Sequence, residues 1–432
     1  MKKISTKRNP SRFFIILMLL ASFFSIEAAL AHGERNQEPF LRMRTLHWYD
    51  TNFSIKDHSV IQVNDIVTIT GKFRIFSKWP KQIPEPHRMY LNVNSSGATF
   101  VKLESWINGK AAIQSFEGEL GRDYEYKIVL KARWPGAWHV HPMINVKDAG
   151  GLAGPGLFID VEGDYHDFEM AGTTIDGTKI DDLSTFGMAR VYGWNIFWGI
   201  VGVAWLIYWI AKPLLIPRFL MVKNGEYNEK LVTPKDKKVS LMFLIVTVVV
   251  TIGGAILTSK QFPNTVTLQA GVANIKPSPI PEGSVVTNLL RGEYYIPGRT
   301  FISKLAVTNN TKNPVRLGEF TSANLRFINN DFSILADEKA AGMNNPLDLI
   351  AKTGLQISDD TPIAPGATKE FTIEATDAAW EVERLDTMLN NPESTFGALL
   401  SFFDDQGNRH LSELFGNAMP VFKKDVPEGY RE

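Results

Sequence analysis

Two antiparallel β-sandwiches joined by a pair of transmembrane helices is the fold the sequence predicts. Two long regions alternate apolar and polar residues between turn-forming Gly, Pro, Asn and Asp, as half-buried strands do. Between those regions lie two uncharged stretches, Tyr192 to Ala211 and Ser240 to Ser259, each about as long as a helix that crosses a hydrocarbon core. The chain has no cysteine, so neither sandwich is stapled by a disulfide and each must hold by its core.

The elements follow in order. Lys2, Lys3, Lys7, Arg8 and Arg12 precede an apolar run from Phe13 to Ile26 and the small residues Ala28, Ala29 and Ala31. That is the layout of a signal peptide over 1–31, cut after Ala31 to leave His32 first; an uncleaved anchor is the alternative. Strands are expected at Ser59 to Thr70, Met89 to Val93, Ala98 to Leu103, Asp123 to Ala132 and Trp138 to Val146, within a first sandwich over 32–185. The spans and their connection occupy 186–264. Aromatic Trp194, Trp198, Tyr208 and Trp209 lie toward the ends of the first span, as in an interfacial belt. The connection, 212–239, carries seven Lys or Arg against Glu226, Glu229 and Asp236, which predicts a cytoplasmic loop with both sandwiches on the exported side. A second sandwich over 265–432 has strands at Thr300 to Asn309, Val315 to Phe320, Asn324 to Ile328 and Glu370 to Glu374. Asp377 to Met388 reads as a helical insert, and Asp405-Gln-Gly-Asn as a turn into the strand of His410.

Formal net charge is zero over 432 residues, with no long block of one sign in the folded part, so nucleic acid is not an expected partner. Without thiolates, a metal here must use mainly nitrogen and oxygen donors. Eight histidines are present. Trp138-His139-Val140-His141 sets two imidazoles on one face of a strand, and cleavage after Ala31 would add His32, whose ring and α-amine together can chelate. An all-nitrogen site from His32, His139 and His141 suits copper, and zinc fits chemically as well. His47 is a further candidate, although a core histidine is the plainer reading of it alone. His58, His87 and His166 match no motif and are expected to be surface or structural.

Longer stretches carry a resemblance. HGERNQEPFLRMRTLHWYD from His32, ITGKF at 69–73, KARWPGAWHVHPMINVKDAGGLAGPG at 131–156, VRLGEF at 315–320 and DAAWEVERL at 377–385 resemble the B-type subunit of the particulate methane and ammonia monooxygenases. The resemblance implies two cupredoxin-type sandwiches joined by the helices. It also implies partnership with two integral-membrane subunits in a trimer of heterotrimers, in a bacterial inner or intracytoplasmic membrane with both sandwiches periplasmic. It implies copper on His32, His139 and His141. A second site is the candidate role of His47, with Glu413 and His410 in the C-terminal strand. Some members have a histidine after Gly-Lys-Phe where this chain has Arg74, which counts against a bis-histidine site at His47.

The activity implied is O2-dependent oxidation of ammonia to hydroxylamine or of methane to methanol by the complex, with no catalytic residue assigned to this chain. NVKDAG and HGERNQEPF lean to the ammonia branch, HWYD and WHVH to the methane branch, and ammonia is the expectation by a narrow margin. The alternative is a noncatalytic copper-delivery or storage protein anchored in the membrane. A blue-copper electron carrier is disfavoured, since it needs a cysteine thiolate.

Overall fold

The computed structural model describes residues 39–422 apart from 174–176, 211, 213–215, 226–230, 263–270, 297–298, 346–348 and 383–394. The expected signal segment, its cleavage site and His32 lie outside the described residues. A short helix, α1 (Pro39–Arg44), leads into β1 (Leu46–Phe53), β2 (Ser59–Gln62), β3 (Ile66–Ile75), β4 (Met89–Asn94), β5 (Phe100–Ile107) and β6 (Lys110–Ala111). Then come β7 (Ser115–Phe116), β8 (Asp123–Ala132), β9 (Gly136–Val146), β10 (Gly150–Ala153) and β11 (Leu157–Glu162). One sheet runs β1-β3-β8-β5-β6; the other contains β7-β4-β9-β11-β2, with β10 on β9.

The strand expected over 59–70 is in fact two strands in different sheets. Asn64 takes a left-handed φ of 81°, and the Asp65 carboxylate accepts the Gln62 N–H at 2.7 Å, so the chain corners from one sheet to the other. Alternation along β3 and β8 buries Val67, Ile69, Phe73, Tyr124, Tyr126, Ile128 and Leu130, which fill the space between the sheets. Gly71 in the ITGKF stretch sits directly opposite Tyr126. A Cβ there would stand 2.7 Å from the Tyr126 hydroxyl, so glycine is what lets that ring lie over β3 and reach Thr51 at 3.1 Å.

Residues 163–270 form a compact unit of their own. It holds a small hairpin of β12 (Gly172–Thr173) and β13 (Lys179–Ile180), then α2 (Met188–Ile210), α3 (Ile216–Lys223) and α4 (Pro234–Gln261). α2 and α4 are long and apolar enough to cross a membrane, and their apolar windows are not buried by protein. The connection between them is not all loop, because it contains α3. Contacts of Trp194 with Gly254, of Trp205 with Phe243 at 4.9 Å between ring centroids, and of Tyr208 with Asp236 make the pair antiparallel. Thr233 starts α4 with a reciprocal capping box to Asp236, and Pro234 follows in the first turn.

After the second helix the chain returns to the first sandwich. β14 (Val272–Ala273) pairs parallel with β7, while the carbonyls of Gly271, Asn274, Lys276 and Ser278 accept from Ser115, Lys110, Asn108 and Arg122. The boundaries expected at 185 and 265 therefore differ from the observed ones. The last strand of the first sandwich before the helices ends at Glu162, and 271–278 belong with that sandwich.

The second sandwich consists of β15 (Val285–Ile296), β16 (Thr300–Asn309), β17 (Val315–Ser322), β18 (Leu325–Ile328), α5 (Ile334–Ala340), β19 (Ile350–Ala351) and β20 (Leu355–Ile357). It continues through β21 (Thr368–Thr376), α6 (Ala379–Val382), β22 (Thr395–Asp404), β23 (Arg409–Asn417) and β24 (Met419–Phe422). Its sheets are β20-β21-β16-β15-β24 and β19-β18-β17-β22-β23, closed on Phe301, Phe320, Phe327, Trp380, Phe396 and Leu400. The expected helical insert is helical at 379–382, where Asp377 accepts the Ala379 N–H at 2.8 Å and Trp380 is buried against Phe327; 383–388 lie outside the described residues. Both sandwiches belong to one compact unit. β1 forms the seam between them: Trp48 packs on Phe73 and Tyr126 of the first, while His47 and Phe76 lead to Phe415 of the second. The fold is mainly β, two sandwiches and two membrane-length helices, as the sequence predicts.

Candidate metal centre

β9 carries the two imidazoles. Val140, Ile144 and Val146 point into the sandwich, so the intervening His139 and His141 share the outer face, beside Asn94 on β4 and Phe158 on β11. The entrance to the strand is fixed by Trp138, whose indole N–H donates to the Trp134 carbonyl at 2.8 Å. Gly136, at φ 137°, leaves room for that indole, since a Cβ would stand 2.7 Å from it.

His141 Nδ1 lies 2.8 Å from the Gly154 carbonyl, and with Nδ1–H donating there the Nε2 lone pair is left over. That nitrogen is 3.2 Å from His139 Nδ1. Burial pushes the His141 imidazole down to about 4, with His139 and Arg42 acting the same way against the Gly154 carbonyl, so the ring is neutral near pH 7. A neutral ring is the form that ligates. Two nitrogens bound to one small cation at about 2.0 Å stand roughly 2.8–3.3 Å apart, a range that includes the 3.2 Å between these two rings. The donor set and its spacing therefore fit a nitrogen-seeking metal.

The glycines of GGLAGPG make this arrangement possible. A Cβ on Gly156 would come within 2.5 Å of His141 Nδ1, and one on Gly154 within 2.7 Å of Trp48. The Ala153 carbonyl next door accepts from Asn324 Nδ2 at 3.1 Å, so the second sandwich also grips the turn that orients His141. Sequence reasoning missed Gly154, Gly156, Asn324 and Phe158 as supports. The glycine-rich run was the signal available for the first two. Nothing in the pattern pointed to Asn324, which lies 171 positions from the turn it holds.

The other candidate grouping separates. His47 is buried beside Phe76, at 5.0 Å between ring centroids, and its Nε2 has no hydrogen-bond partner among the described residues. Burial pushes it down to about 4, opposed by Glu413 and aided by Arg74. Arg74 is its cross-strand neighbour and spans two carboxylates, Nε to Glu413 at 2.6 Å and Nη1 to Asp123 at 2.5 Å. Ser77 donates to Glu413 from its N–H at 3.0 Å and from its hydroxyl. A guanidinium thus already neutralises the acid that a cation at His47 would use. His410 is not brought to this place. It is three residues from Glu413 on β23, hence on the opposite strand face, with Nε2 3.8 Å from Asp404.

Of the remaining histidines, His87 and His166 sit exposed beside Glu85, at 3.0 Å, and Asp164, at 2.8 Å. His58 stacks on Phe158. Among the described residues, no three His, Asp or Glu side chains converge as a complete metal site. The third expected ligand, His32, lies outside them.

A membrane-anchored β-sandwich protein with a paired imidazole site is the class these features define. The chain belongs to the monooxygenase B-subunit protein family, whose model matches residues 33–422. It is 39% identical over 409 residues to the particulate methane monooxygenase alpha subunit of Methylococcus capsulatus (Bath), covering 94% of this chain and 96% of that one. Among solved structures it is similar to the cupredoxin domain of amoB from Nitrosocaldus yellowstonii, at 18% identity and a TM-score of 0.24, over 31% of this chain and 98% of that domain. It is also similar to a PapD-like domain of human CEP192, at 9% identity and a TM-score of 0.15, over 37% and 99% of the respective chains. These two likenesses are too slight to argue from.

Proposed function

We propose that this chain is the copper-bearing subunit of a membrane-bound monooxygenase complex that oxidises ammonia or methane with O2. The observation that carries the copper assignment is the His139–His141 pair, two ring nitrogens 3.2 Å apart on an outer sheet face, one of the rings oriented by the Gly154 carbonyl. His32, with its ring and the amine freed by cleavage after Ala31, supplies the remaining nitrogens. Bound copper would contribute one-electron redox chemistry. The protein's part is to present the two imidazoles side by side, fix their orientation and keep Gly154 as the acceptor of the far His141 proton.

Family membership supports a place beside two integral-membrane subunits, assembled as a trimer of heterotrimers with cupredoxin-type sandwiches on the periplasmic side. The basic segment between the helices supports that sidedness. Both substrates are compatible with the family, and the sequence leans to ammonia.

The test uses the full-length protein in its membranes. His139→Ala and His141→Ala should each lower bound copper by about one equivalent and remove the corresponding copper(II) paramagnetic signal, whereas His166→Ala should not. Equal copper in all three would refute the site. Oxidation of methane and of ammonia by the same membranes assigns the substrate.

A further inference from the structure

Beside the imidazole pair, the outer face of the first sandwich carries an aromatic arrangement that core packing does not require. Phe158 on β11 points outward and is 40% exposed, but it does not stand alone. Its partner is His139, the residue opposite it in register, with ring centroids 4.1 Å apart and planes within 3° of parallel. On the β2 side the His58 imidazole stacks on the same phenyl at 5.2 Å and 4°. Because β11 lies between β9 and β2, the three rings form a row across three chain segments.

The outer end of that row is built with care. His58 takes a left-handed φ of 56°, rarely adopted by a residue with a side chain. Its N–H donates to the Phe158 carbonyl at 2.8 Å, and the neighbouring Asp57 carboxylate accepts the Phe158 N–H at 2.9 Å. The Asp57–His58 turn therefore clasps Phe158 by both backbone groups and by a ring.

The two imidazoles are held differently. His141 is fixed by a hydrogen bond from its far nitrogen to Gly154, whereas a whole face of His139 lies against Phe158. Once a metal replaces the proton between the rings, the hydrogen bond that joins them is gone. The stack still sets the plane of His139. We propose that Phe158 is a positioning residue for His139 as a metal ligand, and that the Asp57–His58 turn holds Phe158 in that role. The inference rests on the copper reading of the His139–His141 pair.

The test compares copper(II) binding and paramagnetic resonance of full-length wild type, Phe158→Leu, Phe158→Tyr, His58→Ala and Val60→Ala, with copper as the probe. Phe158→Leu keeps apolar bulk but removes the flat face. It should weaken copper binding by roughly tenfold and spread the copper(II) hyperfine pattern over several geometries, while the melting temperature stays near that of wild type. Phe158→Tyr should restore both readings. His58→Ala should cause a smaller change in the same direction, and Val60→Ala, exposed on the adjacent strand, none. Wild-type affinity and an unchanged spectrum in Phe158→Leu would overturn the inference while leaving the copper reading intact. Wild type that binds no copper through His139 would overturn both. If Phe158→Leu does not fold, His58→Ala decides: an unchanged spectrum there counts against the stack.

Discussion

At Arg74 a single side chain decides what the seam between the sandwiches can hold. Its guanidinium lies between Glu413 and Asp123, beside a buried His47 kept neutral by its surroundings. Arg74→Met would leave two partly buried carboxylates unpaired. A loss of about 2–3 kcal/mol in folding stability is expected, short of the ~3–5 for breaking a fully buried pair because these groups retain some water. Thermal unfolding measures it, and Arg74→Lys should lose less; an unchanged midpoint in Arg74→Met would contradict this account. The departure at position 74 was visible in the sequence as a missing histidine. That its replacement fills the site with a fixed cation was not, because the pairing joins residues 339 positions apart. The His139–His141 pair was legible from its spacing of two. The ring supports behind it come from separate strands and a second sandwich, which no local pattern records.

Elements were read well where periodicity was long and less well at corners. Asp123–Ala132 and Thr300–Asn309 are strands over the expected residues, and the two apolar stretches are helices that begin a few residues earlier than expected, at Met188 and Pro234, and end at Ile210 and Gln261. The corner at Asn64 was missed because the alternation continues through it while the chain changes sheets. Within the helical hairpin, Asp236 joins both helices at once: it caps α4, accepts from the Tyr208 hydroxyl at 2.5 Å and pairs with Lys212 at 2.9 Å. Asp236→Ala should loosen this end of the hairpin. Limited proteolysis in membranes should then cut the segment between α2 and α4 faster than in wild type, with copper content unchanged. Equal cutting rates would show that the apolar contacts alone hold that end.

Across the whole molecule, the second sandwich carries a buried ionic group that ties its stability to pH. Glu319, on a strand irregularity next to Gly318, takes a bidentate pair from Arg326 at 2.8 and 2.9 Å and a hydrogen bond from Thr321 at 2.8 Å. Burial opposes its ionisation, but Arg326 and Thr321 outweigh that and hold the carboxyl below its ordinary value of 4.5. A depressed carboxyl stabilises the fold above its unfolded pKa, and the contribution disappears as pH falls through the folded one. Stability should therefore decline from about pH 4.5 downward, and Glu319→Gln, less stable at neutral pH, should show a shallower decline. A wild-type acid slope matched by the variant would assign the effect to other groups.

The return of the chain to β7 through β14 has a consequence for covalent continuity. The helical hairpin is an excursion that leaves the first sandwich at Glu162 and rejoins it at Gly271, before the second sandwich begins. The two sandwiches are therefore clasped by the seam at β1, by Arg74 and Arg409, and by the Asn324 bond, independently of the peptide linkage through the membrane. A chain severed between its two spans keeps both halves as a noncovalent pair, each with one helix, and dissociates when the fold itself is undone.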